Sequence, residues 1–327
     1  MFYRRKILLA LLEAFGGSLT KTDCQKLLFL FCLRRKKNYY DFFPYNYGGF
    51  SFLVYQDKSR LTDLDLLSPQ SHFQLTGRQL YLNQLRHEDR VALQALVMEI
   101  GDLRGEELIR KVYLEYPYYA SRSKIAQKVL KQAEYEKIAK IRKHVETACL
   151  FTIGYEGLSI DAFLNILISN YVVALVDVRK NPISMKYGFS KTRLANYTKL
   201  AGIFYFHIPE LGVPSDLRHD LTSETAYTRL FEYYLSQILP EQKEALEELK
   251  ALLNEHKRVA ITCFEANHLF CHRHKIAEYL QSDPDFDTPV LHLGKDCTVD
   301  ALLEYTTNAN FPHNLWGESE LSMLREE

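Results

Sequence analysis

The chain has no CxxC pair, no glycine-rich phosphate loop and no net charge, and each absence narrows what it can be. Its six cysteines, Cys24, Cys32, Cys149, Cys263, Cys271 and Cys297, are scattered over 327 residues. That is not the framework of a small disulfide-stapled domain, and a reducing, cytoplasmic setting fits it best. Neither GxGxxG nor a Walker sequence occurs, so the two commonest backbone cradles for nucleotide phosphates are missing. The apolar run Leu27–Leu33 is far too short to cross a bilayer. Ile7–Leu12, preceded by Arg4, Arg5 and Lys6, has the outline of a signal peptide, but Glu13 cuts it short and an amphipathic helix explains it better. There is no internal repeat and no low-complexity segment, and no membrane partner is expected.

What is present is a soluble composition, 25% charged and 47% apolar, long enough for two cores. The charge is unevenly spread. Residues 1–145 hold about 25 Lys and Arg against about 15 Asp and Glu, and the remainder reverses that balance. A basic first half favours an anionic partner, DNA or RNA, although two solvated domains of opposite charge satisfy the same count.

Residues Arg5–Phe15 carry an apolar helical stripe that Gly16 and Gly17 end. Thr20 and Asp23 stand at capping-box spacing before a second helix, Lys21–Leu33. It ends in Arg34, Arg35, Lys36 and Lys37, which beside Tyr39 and Tyr40 can hold phosphates and stack bases; a helix C-terminus also favours such a cluster through its dipole. Phe50–Tyr55 reads as strand or helix. A helix at Ser59–Leu67 and a short strand at His72–Thr76 follow, in an order that fits a winged helix loosely. Helices are expected at Arg86–Met98 and Gly105–Tyr113. The boundaries read are a helical, winged-helix-like domain at 1–118, a basic connector at 119–148 built on one long helix over Ser121–Val145, and an α/β domain at 149–327.

From Cys149 the pattern alternates. Strands are expected at Cys149–Ile153, Val172–Asp177, Ile203–His207, Val259–Cys263 and Val290–Leu293, with helices at Ser159–Ser169, Ser190–Ala201, Ala226–Leu253 and Cys271–Gln281. The fold class is therefore α/β, a parallel Rossmann-like sheet flanked by helices. In such sheets ligands bind beyond the carboxyl ends of strands. There the sequence puts Asp177 and Arg179 after one strand, and Cys263 and Glu265, followed by Cys271, His272 and Arg273, after another.

These pieces carry a resemblance. Thr152–Tyr155, Leu175–Arg179 with Asn181 and Pro182, Gly202–Tyr205, His207–Gly212, Cys263–Glu265 and Cys271–Arg273 occur in the order and spacing of the domain of unknown function 488 family. The likeness spans about 40% of the chain, and it implies a fold and a site more than a reaction. More loosely, Gln25–Leu30 and Tyr47–Ser51 resemble Panacea or SocA-like antitoxin domains, which points to prokaryotic defence.

Chemically, Asp177 and Glu265 are candidate acids or bases, His207 and His272 candidate proton shuttles, and Cys263 a candidate nucleophile. Arg179, Arg273 and Arg218 are candidate phosphate ligands, with Glu210 and Tyr155 beside them. The competing reading makes Asp177–Arg179 and Glu265–Arg273 ion pairs that only tie loops together. A strand-end cysteine and an Asp-Val-Arg run also suggest rhodaneses and cysteine phosphatases, but no glycine lies between Cys263 and Arg273 to form their anion loop. His268, Cys271, His272 and His274 fit no zinc-ribbon spacing, and consecutive Cys271 and His272 seldom reach one ion, so neither metal nor cofactor is expected. The function expected is a nucleic-acid-associated protein that binds or hydrolyses a phosphate-bearing ligand, nucleotide or nucleic-acid component, at the strand ends. The rival is a non-catalytic winged-helix regulator with a ligand-sensing α/β domain. A homodimer is compatible with either.

Overall fold

The computed structural model describes residues 1–77, 80–141, 145, 147–214, 217 and 224–294. The described residues form two compact units, one within 1–141 together with 160–162, the other within 145–159 and 163–294.

The first unit is mainly helical. Its elements are α1 (Tyr3–Ala14), β1 (Ser18–Leu19), α2 (Lys21–Arg35), β2 (Phe43–Tyr45), β3 (Gly48–Phe50), α3 (Phe52–Thr62), β4 (Phe73–Gln74), α4 (His87–Ile100) and α5 (Gly105–Glu115), then three short helices, α6 (Pro117–Ala120), α7 (Ala126–Val129) and α8 (Gln132–Ile141). The Thr20 hydroxyl accepts from the Asp23 amide at 3.1 Å and starts α2, half of the expected capping box. Where a stripe is expected on α1, six consecutive residues, Ile7–Leu12, are buried; in α2 the whole stretch Asp23–Cys32 is buried. Both helices are enclosed on every side, which periodicity alone underestimates.

The ambiguous Phe50–Tyr55 segment resolves as the end of β3 followed by the start of α3. β1–β4 and β2–β3 pair as antiparallel ribbons, and in sequence the β2–β3 hairpin falls between α2 and α3. Gln25 and Lys26 of α2 grip that hairpin. The Gln25 side chain donates to the Ser51 carbonyl at 3.0 Å and accepts from the Ser51 amide at 3.0 Å, and Lys26 donates to the Gly49 carbonyl at 3.0 Å. The single long helix expected over Ser121–Val145 is instead broken into α7 and α8. The Ser123 hydroxyl pairs with the Tyr113 hydroxyl at 2.7 Å and accepts from the Ile125 amide, and Leu130 turns extended, so side-chain bonds and packing interrupt the helical ladder.

The second unit contains β5 (Cys149–Gly154), α9 (Ile160–Ser169), β6 (Ala174–Asp177), α10 (Lys191–Leu200), β7 (Phe204–His207), α11 (Glu224–Tyr233), α12 (Lys243–His256), β8 (Arg258–Cys263), α13 (His272–Gln281) and β9 (Val290–Leu293). Its five strands form one parallel sheet in the order β7-β6-β8-β5-β9. β5, β6 and β8 are buried along their whole length, as strands covered by helices on both faces must be. The expected helix over Ala226–Leu253 divides at Tyr234–Ile238, a π turn, and at Leu239–Glu241, a 3-10 turn. Pro240 has no N–H for a continuing helical ladder, which accounts for the division there. Pairing register aligns Asp177 with His207 and with Thr262, and Gly154 with Cys263. Four strands thus end within a residue of one another at one edge of the sheet. Among the described residues no helix is long and apolar enough to cross a membrane.

Candidate functional site

Beyond that edge lies a cleft of about 340 Å³, lined among others by Tyr155, Arg179, Lys180, Cys263, Phe264 and Glu265. The residues expected there divide into three groups. Tyr155, Arg179, Cys263 and Glu265 line the cleft. Asp177, His272 and Arg273 are buried and are not part of its lining. His207 and Glu210 are also absent from the lining; Glu210 is exposed on the short turn Pro209–Leu211. Arg218 lies outside the described residues.

Asp177 and Arg179 form a closed unit. Arg179 Nε donates to Asp177 Oδ1 at 2.8 Å and Nη2 to Oδ2 at 2.5 Å, a bidentate pair. The Tyr205 hydroxyl also donates to Asp177 at 2.8 Å. Arg179 Nη1 donates to the Tyr155 hydroxyl at 2.8 Å and to the Phe189 carbonyl at 2.9 Å. Four of the five Arg179 N–H donors are thus engaged within the fold. Burial disfavours the Arg179 cation, but its hydrogen bond and charge pairing with Asp177 outweigh that and raise its pKa. The pair has the geometry of the ion-pair reading.

Arg273 also serves the scaffold. It is fully buried, with Nη1 donating to the Glu265 carbonyl at 2.6 Å and Nη2 to the Ala266 carbonyl at 3.1 Å. It braces the loop after β8 and does not pair with the Glu265 carboxylate as the ion-pair reading expects. The same loop presses on β5: a Cβ at Gly154 would stand 1.7 Å from the Glu265 carbonyl oxygen. His207 bridges the Arg179 carbonyl, 3.0 Å from Nε2, and Lys191 Nζ, 2.8 Å from Nδ1.

The reactive side chains gather around Cys263. Its Sγ stands 3.2 Å from Glu265 Oε2 and 3.6 Å from His272 Nδ1, and Cys271 Sγ is 3.9 Å from the same nitrogen. Burial pushes the Glu265 pKa up, but hydrogen bonds, that of the Cys271 thiol foremost, and the nearby His272 bring it below the usual carboxylate value. Glu265 is therefore an anion and a base rather than a proton donor. From sequence, consecutive Cys271 and His272 are expected seldom to reach one ion. Here Cys271 is extended, φ −136° and ψ 137°, just before α13 starts, and both donor atoms still lie within 4.8 Å of each other and of Cys263 Sγ.

A second cluster was not singled out as a set by sequence. His268, His274 and His292 bring one ring nitrogen each within 4.8 Å of one another, and His268 stacks on His292 at 4.0 Å. Burial, then the neighbouring histidines, lowers the His292 pKa to about 4. His292 entered the reading only as a strand residue, and parallel pairing of β9 with β5 is what brings it there. Lys180, Asn181, Ile183, Ser184 and Met185 were likewise missed as cleft residues. Their signal was available: they follow β6 directly, at the strand end where ligands bind.

The family comparison now bears on this geometry. Residues 159–280 match the family described as Domain of unknown function DUF488. The matched DUF488 region contains Asp177, Arg179, Cys263, Glu265, Cys271 and His272, and begins after Tyr155. No curated protein and no solved structure matches the chain.

In the first unit the basic run is largely engaged. Arg34 pairs with Glu99 at 2.5 Å and Glu115 at 3.2 Å, and Arg35 with Asp89 at 2.7 Å and Glu88 at 3.0 Å. Lys36 and Lys37 are exposed and make no ion pair among the described residues.

Proposed function

We propose that the α/β unit is a hydrolase that takes a phosphate-bearing ligand, a nucleotide or nucleic-acid component, into the cleft at the strand ends. One observation carries the reading: Glu265 lines the cleft with no Lys or Arg partner among the described residues, whereas Asp177 is consumed by Arg179. A site kept only for sensing or for structure would be closed by such pairs throughout. Lys180, exposed on the cleft wall, supplies a cation for the ligand's phosphate. Glu265 removes a proton from water, the water oxygen bonds to phosphorus, and the ester oxygen leaves with its electron pair.

The test is turnover of nucleoside phosphates, DNA and RNA by purified protein, comparing wild type with Glu265→Gln and Lys180→Ala. Glu265→Gln should lower kcat by roughly 10²–10⁴-fold, and Lys180→Ala should mainly raise KM. Turnover unchanged by both substitutions would refute the assignment. The association with nucleic acid is part of the same proposal, and within the Arg34–Lys37 run it rests on Lys36 and Lys37, because Arg34 and Arg35 are already paired.

A further inference from the structure

Cys263, Cys271 and His272 are three buried side chains whose donor atoms all lie within 4.8 Å of one another. The separations match a coordination sphere. Zinc bonds of about 2.3 Å to sulfur and about 2.05 Å to nitrogen, at a tetrahedral angle, place S and N about 3.6 Å apart. Here the two S···N distances are 3.6 and 3.9 Å. The imidazole is also set for the task. His272 Nε2 stands 3.1 Å from the Val178 carbonyl, an acceptor only, so Nε2 carries a proton and Nδ1 is the nitrogen that faces the two sulfurs. A backbone carbonyl on the remote nitrogen is the usual outer support of a metal-bound histidine. Two thiols and one imidazole are soft to borderline donors, which select zinc over magnesium or calcium.

We propose that Cys263, Cys271 and His272 bind one divalent transition-metal ion, zinc by donor chemistry, beside the cleft, with the fourth position open towards Glu265. The proposal rests on the cleft reading for its location only. Cys263 and Glu265 both line the cleft, so the fourth position is reached from it. Three protein donors and one open position are the arrangement of a catalytic rather than a structural ion. A water bound there loses its proton readily, and Glu265, 3.2 Å from Cys263 Sγ, is placed to receive it.

The experiment uses the full chain, purified under reducing conditions, loaded with zinc or cobalt(II), dialysed and analysed for metal content. Wild type and the control Cys149→Ser, a buried cysteine outside the cluster, should keep about one equivalent. Cys271→Ser and His272→Ala should each keep less than a tenth of it. The cobalt form of wild type should show thiolate-to-metal charge-transfer absorption, and the unfolded protein should titrate six thiols, the full complement. A wild type that retains no metal overturns the proposal. So does metal that survives both substitutions but is lost in His274→Ala, which assigns it to the histidine cluster, and so does a Cys263–Cys271 disulfide, seen as two missing thiols. If Cys271→Ser does not fold, the wild-type cobalt spectrum decides, since absence of the thiolate band refutes the site. The hydrolase reading fails separately. A wild type that retains no metal yet turns over a phosphate ester would sink the metal site and leave the hydrolase standing. Metal bound with no turnover of any phosphate ester would leave the metal site and sink the hydrolase.

Discussion

Replacing Gly154 with alanine tests how the cleft is held in shape. Gly154 ends β5 opposite Cys263, and an added Cβ would stand 1.7 Å from the Glu265 carbonyl oxygen and 2.6 Å from its carbon. Both atoms are backbone, so no flexible side chain can swing aside. Reaching even a 3.0 Å contact requires a movement of about 1.3 Å. The same carbonyl accepts the 2.6 Å hydrogen bond from buried Arg273, which that movement breaks. Overpacking costs about 1–3 kcal/mol, and loss of a hydrogen bond to a buried charged group about 1.5–3 kcal/mol. The expected destabilisation is therefore about 3–5 kcal/mol. It is read by urea unfolding followed by circular dichroism, with Gly77→Ala as control, because a Cβ at Gly77 meets nothing within 4 Å. With an m-value of about 1–3 kcal/mol/M, the midpoint should fall by at least about 1 M. A Gly154→Ala protein within about 0.5 kcal/mol of wild type would show that the loop after β8 does not rest on β5 and would refute the reasoning.

Burial lowers the pKa of Lys26 to about 7, below its ordinary value of 10.5. The unfolded state then binds more protons between those two values, so this residue makes stability rise as pH increases from about 7 towards 10. Lys26→Met should flatten that rise, and superimposable pH–stability slopes in urea titrations of the two proteins would contradict it. Asp177→Asn leaves the Arg179 guanidinium buried with its charge uncompensated and should cost about 3–5 kcal/mol; a calorimetric loss under 1 kcal/mol would mean the pair is solvated. Reversing Lys36 and Lys37 to glutamate should weaken DNA binding and flatten its dependence on salt, whereas Arg34→Ala should leave the slope unchanged and cost about 0.2–1 kcal/mol of stability, as a partly exposed ion pair does. Equal slopes for wild type and the double reversal would remove these lysines from any nucleic-acid contact.

What the sequence by itself determined is local or periodic. Alternating strands and helices from Cys149 onward identify a parallel sheet, because runs such as Val172–Asp177 and Val259–Cys263 are apolar enough to be covered on both faces. The rule that ligands bind at strand ends then picks out Cys263 and Glu265, which line a cleft. Tertiary structure alone decided which charged residues were free. Asp177, Arg179, Glu265 and Arg273 read alike along the chain, yet Asp177 and Arg179 pair with each other and with remote Tyr205 and Tyr155, Arg273 turns to two carbonyls of the loop after β8, and the Glu265 carboxylate is left without a Lys or Arg partner among the described residues. Helix continuity was equally illegible. A basic, periodic stretch such as Ser121–Val145 has helical propensity throughout, but Ser123 finds a tertiary partner in Tyr113 and the helix gives way. The approach of adjacent Cys271 and His272 to Cys263 is decided where the loop after β8 meets α13, and no spacing rule carries it. Local propensity and period are properties of neighbouring residues, whereas charge pairing and donor geometry depend on atoms that only the folded chain brings together.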